Sequence, residues 1–367
     1  MHPYLTIALD KIEHNARTIS GLCGDHGIAV TGVTKGVCGQ PEVAAAMLRG
    51  GVVSIGESRF ENTTRLRDAD IVAPVMQLRL PPLSGAAEIV AHTDISLNSE
   101  LAVLTALSEA ARAQGRVHEV ILMVDLGDLR EGIMPEALPS LVSQALQLKG
   151  IRIVGLGTNL ACFSGVVPSE DSMTRLVELA DGIEKAFGLS LRWISGANSS
   201  GLDLIAAGRM PERVNHARIG EAILLGRETV RRRAWPNTFQ DAFVLHSEIL
   251  ELQAKPSAPL GEQGQDAFGG RPAAQNQGTR LRALLNIGRE DIGAGNLTPL
   301  AKGISILGAS SGYLVIDVSD ADDTFGIGDE LRFFPDYGAL LAAMTSEYVK
   351  KRLVSDDGAA GDQQRHG

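Results

Sequence analysis

Residues 27–35 read GIAVTGVTK, and residues 40–51 read QPEVAAAMLRGG. The first is an apolar β-type run that stops at a lysine followed by Gly36; the second is helix-like. A lysine at the C-terminal end of an early strand, ahead of a helix, sits where a barrel or an open α/β sheet keeps its chemistry. There Lys35 can form a Schiff base with an aldehyde or ketone. A lone lysine in a βα loop reads more readily as an ordinary solvated side chain, and it is the rest of the chain that favours the chemical reading.

Outward from this stretch the same alternation repeats. Strand candidates are 29–34, 52–56, 71–78, 94–97, 119–125, 152–158, 192–195 and 216–219. Amphipathic stretches lie between most of them, among them ELAVLTALSEAARAQG, EALPSLVSQALQL and SEDSMTRLVELADGIEKAF. Eight strands with helical crossovers predict an α/β fold, a (β/α)8 TIM barrel, with an open doubly wound sheet as the alternative. No GxGxxG or GxxxxGK[ST] loop supports a Rossmann or P-loop assignment.

The pattern changes after residue 235. FVLHSEILELQAK reads as a strand, and a segment rich in Pro, Gly and Gln follows it. Then come TRLRALLNIG, GISILGASS, YLVIDV and DELRFF, separated by Gly and Asp turns. The expected organisation is a barrel over 1–235 and a C-terminal β domain over 236–353, with the first ten or so residues pairing with the β domain. FPDYGALLAAMTSEYVKK reads as a final helix, and 354–367 as a disordered polar tail.

Composition narrows the function classes. The chain has 367 residues, 44% of them hydrophobic, a mean hydropathy of +0.05 and a net charge of −10 with both signs scattered. Basic clustering is absent apart from RRR at 231–233, which argues against a nucleic-acid partner. No apolar run reaches membrane-spanning length, and MHPYLTIALDKIEHN lacks the basic start and long apolar stretch of a signal peptide. Three cysteines, Cys23, Cys38 and Cys162, have no pairing or zinc-site spacing. The expectation is a cytoplasmic protein with no metal.

In a barrel the residues just after the strands converge on one face. Here they are Lys35, Asn98 and Ser99, the loop Asp125–Gly132 with Arg130 in it, Thr158 and Asn159, the run from Ser195 to Ser200, and Arg218 to Glu221. The SGANSS junction and the Ile-Gly-Glu that follows offer hydroxyls and backbone N–H groups to a phosphate, although SGANSS reads as well as a helix cap and turn. A lysine, a phosphate cradle and two arginines in one mouth describe a site for pyridoxal 5'-phosphate.

The stretches VTKGVCGQPEVA, GESRFEN, SLNSE, MVDLGDLREGI, GLGTNLAC, ISGANSSGL, RIGEAILLG, KPSAPLGEQGQDAFG, NIGREDI and LGASS resemble the alanine/ornithine-type racemases. The resemblance runs over nearly all of residues 4–352. It implies an alanine-racemase-like barrel followed by a β domain (pyridoxal phosphate fold type III) and a homodimer with shared active sites. It implies Lys35 as the Schiff-base lysine and Arg130, in D-x-G-x-x-R-x-G, near the phenolic oxygen. Asn159 would lie beside the ring, Ser199, Gly220 and Glu221 at the phosphate, and Arg218 against the pyridine nitrogen.

An arginine does not easily give up its proton, so Arg218 would leave that nitrogen unprotonated and the electron sink shallow, which suits a racemase. Racemisation also needs a second acid/base group on the face opposite Lys35. In alanine racemases a tyrosine of the partner's G-Y-A-D stretch supplies it. This chain reads Gly288-Arg289-Glu290-Asp291 there, as the ornithine-type branch does. That branch continues LGASS with Asp-His, whereas this chain has Gly312-Tyr313. Tyr313 is therefore the candidate second base and Asp291 the next, with Arg289 able to lower the phenol's pKa. Tyr313 read plainly just starts the strand YLVIDV.

The expected function is an amino-acid racemase, on ornithine, lysine or alanine. Asp128 and Glu131 are candidates for a distal ammonium, or are simply solvated loop charges. The alternatives are a pyridoxal phosphate lyase or decarboxylase on the same fold, and a non-catalytic pyridoxal phosphate-binding protein.

Overall fold

The computed structural model describes residues 2–270 and 276–354. The chain begins with β1 (Tyr4–Ala8). Eight strands then close a barrel: β2 (Ala29–Val33), β3 (Ser54–Glu57), β4 (Val75–Gln77), β5 (Ile95–Asn98), β6 (His118–Met123), β7 (Ile151–Gly157), β8 (Trp193–Asn198) and β9 (His216–Ile219). Neighbours are parallel, and β9 returns to pair with β2, which sets Arg218 beside Thr31.

Side-chain alternation along the strands builds two apolar layers. On β6, Ile121 and Met123 join Met76, Ile95, Leu97 and Val154 in one cluster. Val120 and Leu122, one residue out of phase, join Leu104, Leu107, Val142 and Leu176 in another, with residues of the surrounding helices. The helices have clear stops and starts. Pro41–Arg49 carries proline in its first turn and ends at Gly50. In Glu170–Phe187, Ser169 and Ser172 cap one another's backbone N–H groups, and Gly188 closes the end at φ 67°.

The fourth strand is shorter than the expected 71–78. Arg67 donates to the carbonyls of Ile71 (2.7 Å) and Ala73 (2.9 Å), and Pro74 has no N–H to give a ladder. Only Val75–Gln77 pairs.

By its contacts the chain forms two units: Leu9–Gln240, and a second that joins residues up to Ala8 to those from Asp241 onward. The second holds β10 (Phe243–Pro256), β11 (Thr279–Leu285), β12 (Leu297–Pro299), β13 (Ser305–Ala309), β14 (Leu314–Asp317), β15 (Glu330–Pro335) and β16 (Lys350–Val354). Their order is β12-β15-β10-β11-β14-β13, with β1 antiparallel to β10 and parallel to β16. The helix expected over 334–351 is confined to Tyr337–Thr345, capped by Asp336, whose carboxylate accepts from Ala339 N (2.8 Å). The lysines after it belong to β16. The tail expectation falls almost wholly outside the described residues. Among the described residues no helix is long and apolar enough to cross a membrane.

In this unit Gly288 is pinned against the loop before β14. A Cβ added there would lie 2.1 Å from the Ser311 carbonyl oxygen, so backbone would have to move. Gly288→Ala should destabilise the β unit by about 1–3 kcal/mol. Faster amide hydrogen exchange in β13 and β14 would report it, and unchanged exchange would show that the turn yields freely.

Candidate active site

Lys35 begins a one-turn helix, Lys35–Val37, directly after β2. The turn ends at Cys38 in the left-handed region (φ 54°), an unusual backbone for a residue with a side chain. Lys35 is half-buried, and its ammonium has no hydrogen bond or ion pair among the described residues. The residue before it is held firmly. Thr34 donates its hydroxyl to Glu57 Oε1 (2.6 Å), while Glu57 Oε2 accepts from Asn62 Nδ2 and Ser58 N, both at 3.0 Å. Glu57 is fully buried. Burial pushes its pKa up, and the three donors and the charge of Lys35 act against that. Glu57 was missed from sequence, although its position at the end of a strand candidate, in GESRFEN, marked it.

Arg218 lies on β9, the strand beside Lys35's own. It is buried and donates from Nη1 to the Ser195 carbonyl (3.0 Å) and hydroxyl, and from Nη2 to the Thr158 carbonyl (2.6 Å). It forms no ion pair among the described residues. Burial lowers its pKa to about 10, which still leaves it cationic near neutral pH. A buried series of contacts leads away from it. Ser195 Oγ lies 2.7 Å from His216 Nδ1, His216 Nε2 2.7 Å from Thr31 Oγ1, and Thr31 Oγ1 2.6 Å from Ser54 Oγ.

The loops after β6, β7 and β8 are tied into one rim. Arg130 pairs with Glu131 through two nitrogens, a contact that raises the arginine's pKa. Glu131 Oε1 accepts from Asn159 Nδ2 (3.3 Å), and Asn159 Oδ1 from Asn198 Nδ2 (3.0 Å). Ser199 is buried and its hydroxyl accepts from Ala222 N (3.2 Å), just past Gly220 and Glu221. A Cβ on Gly220 would crowd Val33 Cβ at 3.1 Å, so this position closes tightly on β2. The Glu221 side chain pairs with Arg232. Thr158 Oγ1 is buried without a hydrogen-bond partner. Lys35, Arg130, Asn159, Ser199, Arg218, Gly220 and Glu221 thus all lie at or just beyond the C-terminal strand ends of one barrel.

Two sequence readings need correction. Asp128 is no ligand for a distal ammonium. It is buried, and its carboxylate accepts from the backbone N–H groups of Phe163 (2.8 Å), Ser164 (3.2 Å), Cys162 (3.3 Å) and Val166 (3.4 Å). Asp291, in the second unit, is 3% exposed and has one hydrogen bond on each oxygen: Oδ2 accepts from Gly288 N (3.0 Å) and Oδ1 from the Ser346 hydroxyl (2.9 Å). Its carboxylate holds a turn, so it is a poor candidate for a base.

Tyr313 is 49% exposed and its hydroxyl has no hydrogen bond among the described residues. The loop that carries it is laced to the Arg289 turn, with Arg289 N donating to Ser310 O (2.9 Å) and Glu290 N to Ser311 O (3.1 Å). The Arg289 guanidinium stacks on Phe268, 4.8 Å from the ring centre, and makes no contact with the Tyr313 phenol. No group of three or more His, Cys, Asp or Glu residues arranged for a metal occurs among the described residues.

The family model of the alanine racemase N-terminal domain matches residues 7–228. Ornithine racemase of Acetoanaerobium sticklandii is 41% identical over 355 residues, covering 96% of this chain and 100% of that protein. Lysine racemase of Thermotoga maritima is 38% identical over 351 residues, covering 96% and 98%. Among solved structures, an alanine racemase from Streptomyces coelicolor A3(2) superposes with a TM-score of 0.74 at 19% identity, covering 96% and 98%. An alanine racemase from Bartonella henselae with covalently bound pyridoxal phosphate gives 0.72 at 15% identity, covering 96% and 100%. At such identities the structures establish the fold.

The barrel's buried histidines make its stability depend on acid. Burial lowers the pKa of His118 to about 4 and of His216 to about 3, against about 6.5 in an unfolded chain. Below about pH 6.5 the unfolded chain takes up protons that the folded barrel refuses. The stability held above that pH is therefore lost as pH falls toward 4, by about 1.4 kcal/mol per pH unit for each histidine. Both tryptophans, Trp193 and Trp235, lie in the barrel unit and report its unfolding. His118→Gln should flatten the fall of the urea midpoint between pH 6.5 and 4.5; an unchanged slope would show that His118 protonates in the folded barrel.

Proposed function

The chain belongs to the alanine racemase N-terminal domain family and is an amino-acid racemase, and we propose that it works with pyridoxal 5'-phosphate held in the barrel. The observation that carries the proposal is the pair of basic groups on adjacent strand ends: the half-buried Lys35 ammonium without a partner, and the buried Arg218 without an anion. The donors around them, Ser199 and Arg130, suit a phosphorylated, oxygen-bearing ring. Thr158 Oγ1, buried and unpartnered, suits a polar occupant as well. When bound, that cofactor would supply an electron sink for the substrate's Cα, which would weaken the Cα–H bond.

The chain's own groups supply the rest. Lys35 takes or returns the proton on one face of Cα. Arg218 spends both hydrogens of Nη1 and one of Nη2 on barrel carbonyls and Ser195, so Nε and the remaining Nη2 hydrogen are the donors that could reach the pyridine nitrogen. Because Arg218 stays protonated, it would leave that nitrogen unprotonated and the electron sink shallow. Arg130 would hold the phenolic oxygen and Asn159 the ring, and Ser199 with the backbone of Gly220 and Glu221 would hold the phosphate.

Tyr313 from a second copy serves the opposite face, in a homodimer with shared active sites. Leu129, Met134, Phe163 and Val167, all exposed on the loops after β6 and β7, support a mouth covered by protein. The named activities of the relatives put ornithine and lysine first among substrates, ahead of alanine. Three free cysteines fit a reducing compartment, and we place the enzyme in the cytoplasm.

Borohydride reduction of the cofactor-loaded protein should leave a pyridoxyl label on the peptide containing Lys35, and Lys35→Ala should lower racemase turnover by roughly a thousandfold or more. A label on another lysine would remove the assignment. Tyr313→Phe tests the second face: solvent deuterium should still enter the enantiomer whose Cα proton faces Lys35, while inversion collapses. Full racemase activity in Tyr313→Phe would place the second base elsewhere.

A further inference from the structure

The contacts behind Arg218 have a direction. A guanidinium can only donate, so Arg218 Nη1 gives its hydrogen to Ser195 Oγ. Ser195 is fully buried, and its hydroxyl's other neighbour is His216 Nδ1 at 2.7 Å. If Nδ1 carried a hydrogen, the serine would face two donors and its own proton would have no acceptor. Such a buried orphan is costly, so Ser195 donates to a bare Nδ1. The remaining hydrogen of a neutral imidazole then sits on Nε2 and points to Thr31 Oγ1 (2.7 Å), and Thr31 in turn donates to Ser54 (2.6 Å).

The imidazole is buried and faces two cations, Arg218 and Arg192, with the Trp193 ring centre 4.9 Å away. No carboxylate is among the groups acting on it, and burial holds its pKa down to about 3. The relay therefore runs one way across four strands, from β8 and β9 through β2 to β3. Thr31 is on β2, the strand that leads into the Lys35 turn.

We propose that His216 is a positioning residue for the reaction: as a neutral imidazole protonated on Nε2, it anchors the Ser195 hydroxyl that takes one N–H of Arg218, and so fixes where the guanidinium Nε points. This rests on the role given above to Arg218. The relay itself does not, because it is made wholly of barrel side chains.

The test has two arms. In the cofactor-free full chain, nitrogen NMR of labelled histidines, with His216→Gln to assign the signal, should show a neutral Nε2–H imidazole from about pH 5 to pH 8. A hydrogen on Nδ1, or an imidazolium at neutral pH, would overturn the proposal even if the protein is a racemase. In the loaded enzyme, Ser195→Ala and His216→Leu should each lower kcat about tenfold or more with KM nearly unchanged, the range typical of residues that orient a working group. His216→Gln keeps an acceptor toward Ser195 and a donor toward Thr31, and should recover most of kcat.

Equal loss in His216→Gln and His216→Leu would make His216 a packing residue. Unchanged kcat in Ser195→Ala would cut it from the reaction, and that variant removes only one oxygen should His216→Leu fail to fold. A wild-type protein with the Nε2–H signal but no racemase activity would sink the function above and leave the relay standing.

Discussion

Arg218 carries a positive charge into a place from which water is nearly excluded, and among the described residues no carboxylate forms an ion pair with it. Burying a lone cation is expensive, and the barrel offsets the cost with oxygen dipoles: two carbonyls and one hydroxyl from β8 and the end of β7. An anion opposite Arg218 would have been the cheaper solution for stability alone. Its absence leaves the guanidinium with hydrogen-bonding capacity that its barrel partners do not use. Strand closure decides who its neighbours are, because β9 pairs with β2 and so brings Arg218 and Lys35 to adjacent strand ends. Without that closure neither basic group would have a counterpart.

Three buried acids, two in the barrel unit and one in the second unit, are spent differently. Asp128, Glu57 and Asp291 are buried and accept from backbone N–H groups, hydroxyls or an amide, so they hold segments in place. A buried carboxylate that accepts several such bonds is well satisfied and rigid. Asp128 fixes residues 162–166 beneath the rim, and Glu57 fixes the residue before Lys35. In the barrel unit Asp128 and Glu57 thus hold backbone in place, whereas Lys35 and Arg218 pair with no carboxylate among the described residues. Glu131 is the intermediate case, since it pairs with Arg130 and also reaches Asn159.

The barrel was legible because period-two alternation and apolar runs mark parallel strands, and strand ends mark a barrel's working face. Lys35, Arg130, Asn159, Ser199 and Arg218 came from that rule together with family resemblance. What failed was whatever depends on burial or on distant pairing. Asp128 and Asp291 look like any loop acids in sequence, and only the folded chain shows their oxygens already taken. The lysines of β16 looked helical because their partner is β1, almost the whole chain away. The shortened β4 depends on one arginine reaching its carbonyls, which no local pattern announces.

His216 was passed over for a related reason. A histidine inside an apolar strand reads as a core residue, and by burial it is one. Its part in the site comes from the direction of its hydrogen bonds, and that direction is imposed from outside by an arginine that cannot accept. One donor-only group at the end of β9 is enough to orient every hydroxyl behind it as far as β3. A change of residue anywhere along that line would reach the guanidinium through its partners, without touching it. The loop of Tyr313 contrasts with this: its backbone is laced to the Arg289 turn while its phenol stands exposed, bound to nothing among the described residues. The barrel's basic pair is thus defined by contacts within one unit, whereas Tyr313 is a group whose surroundings inside its own unit leave it undefined.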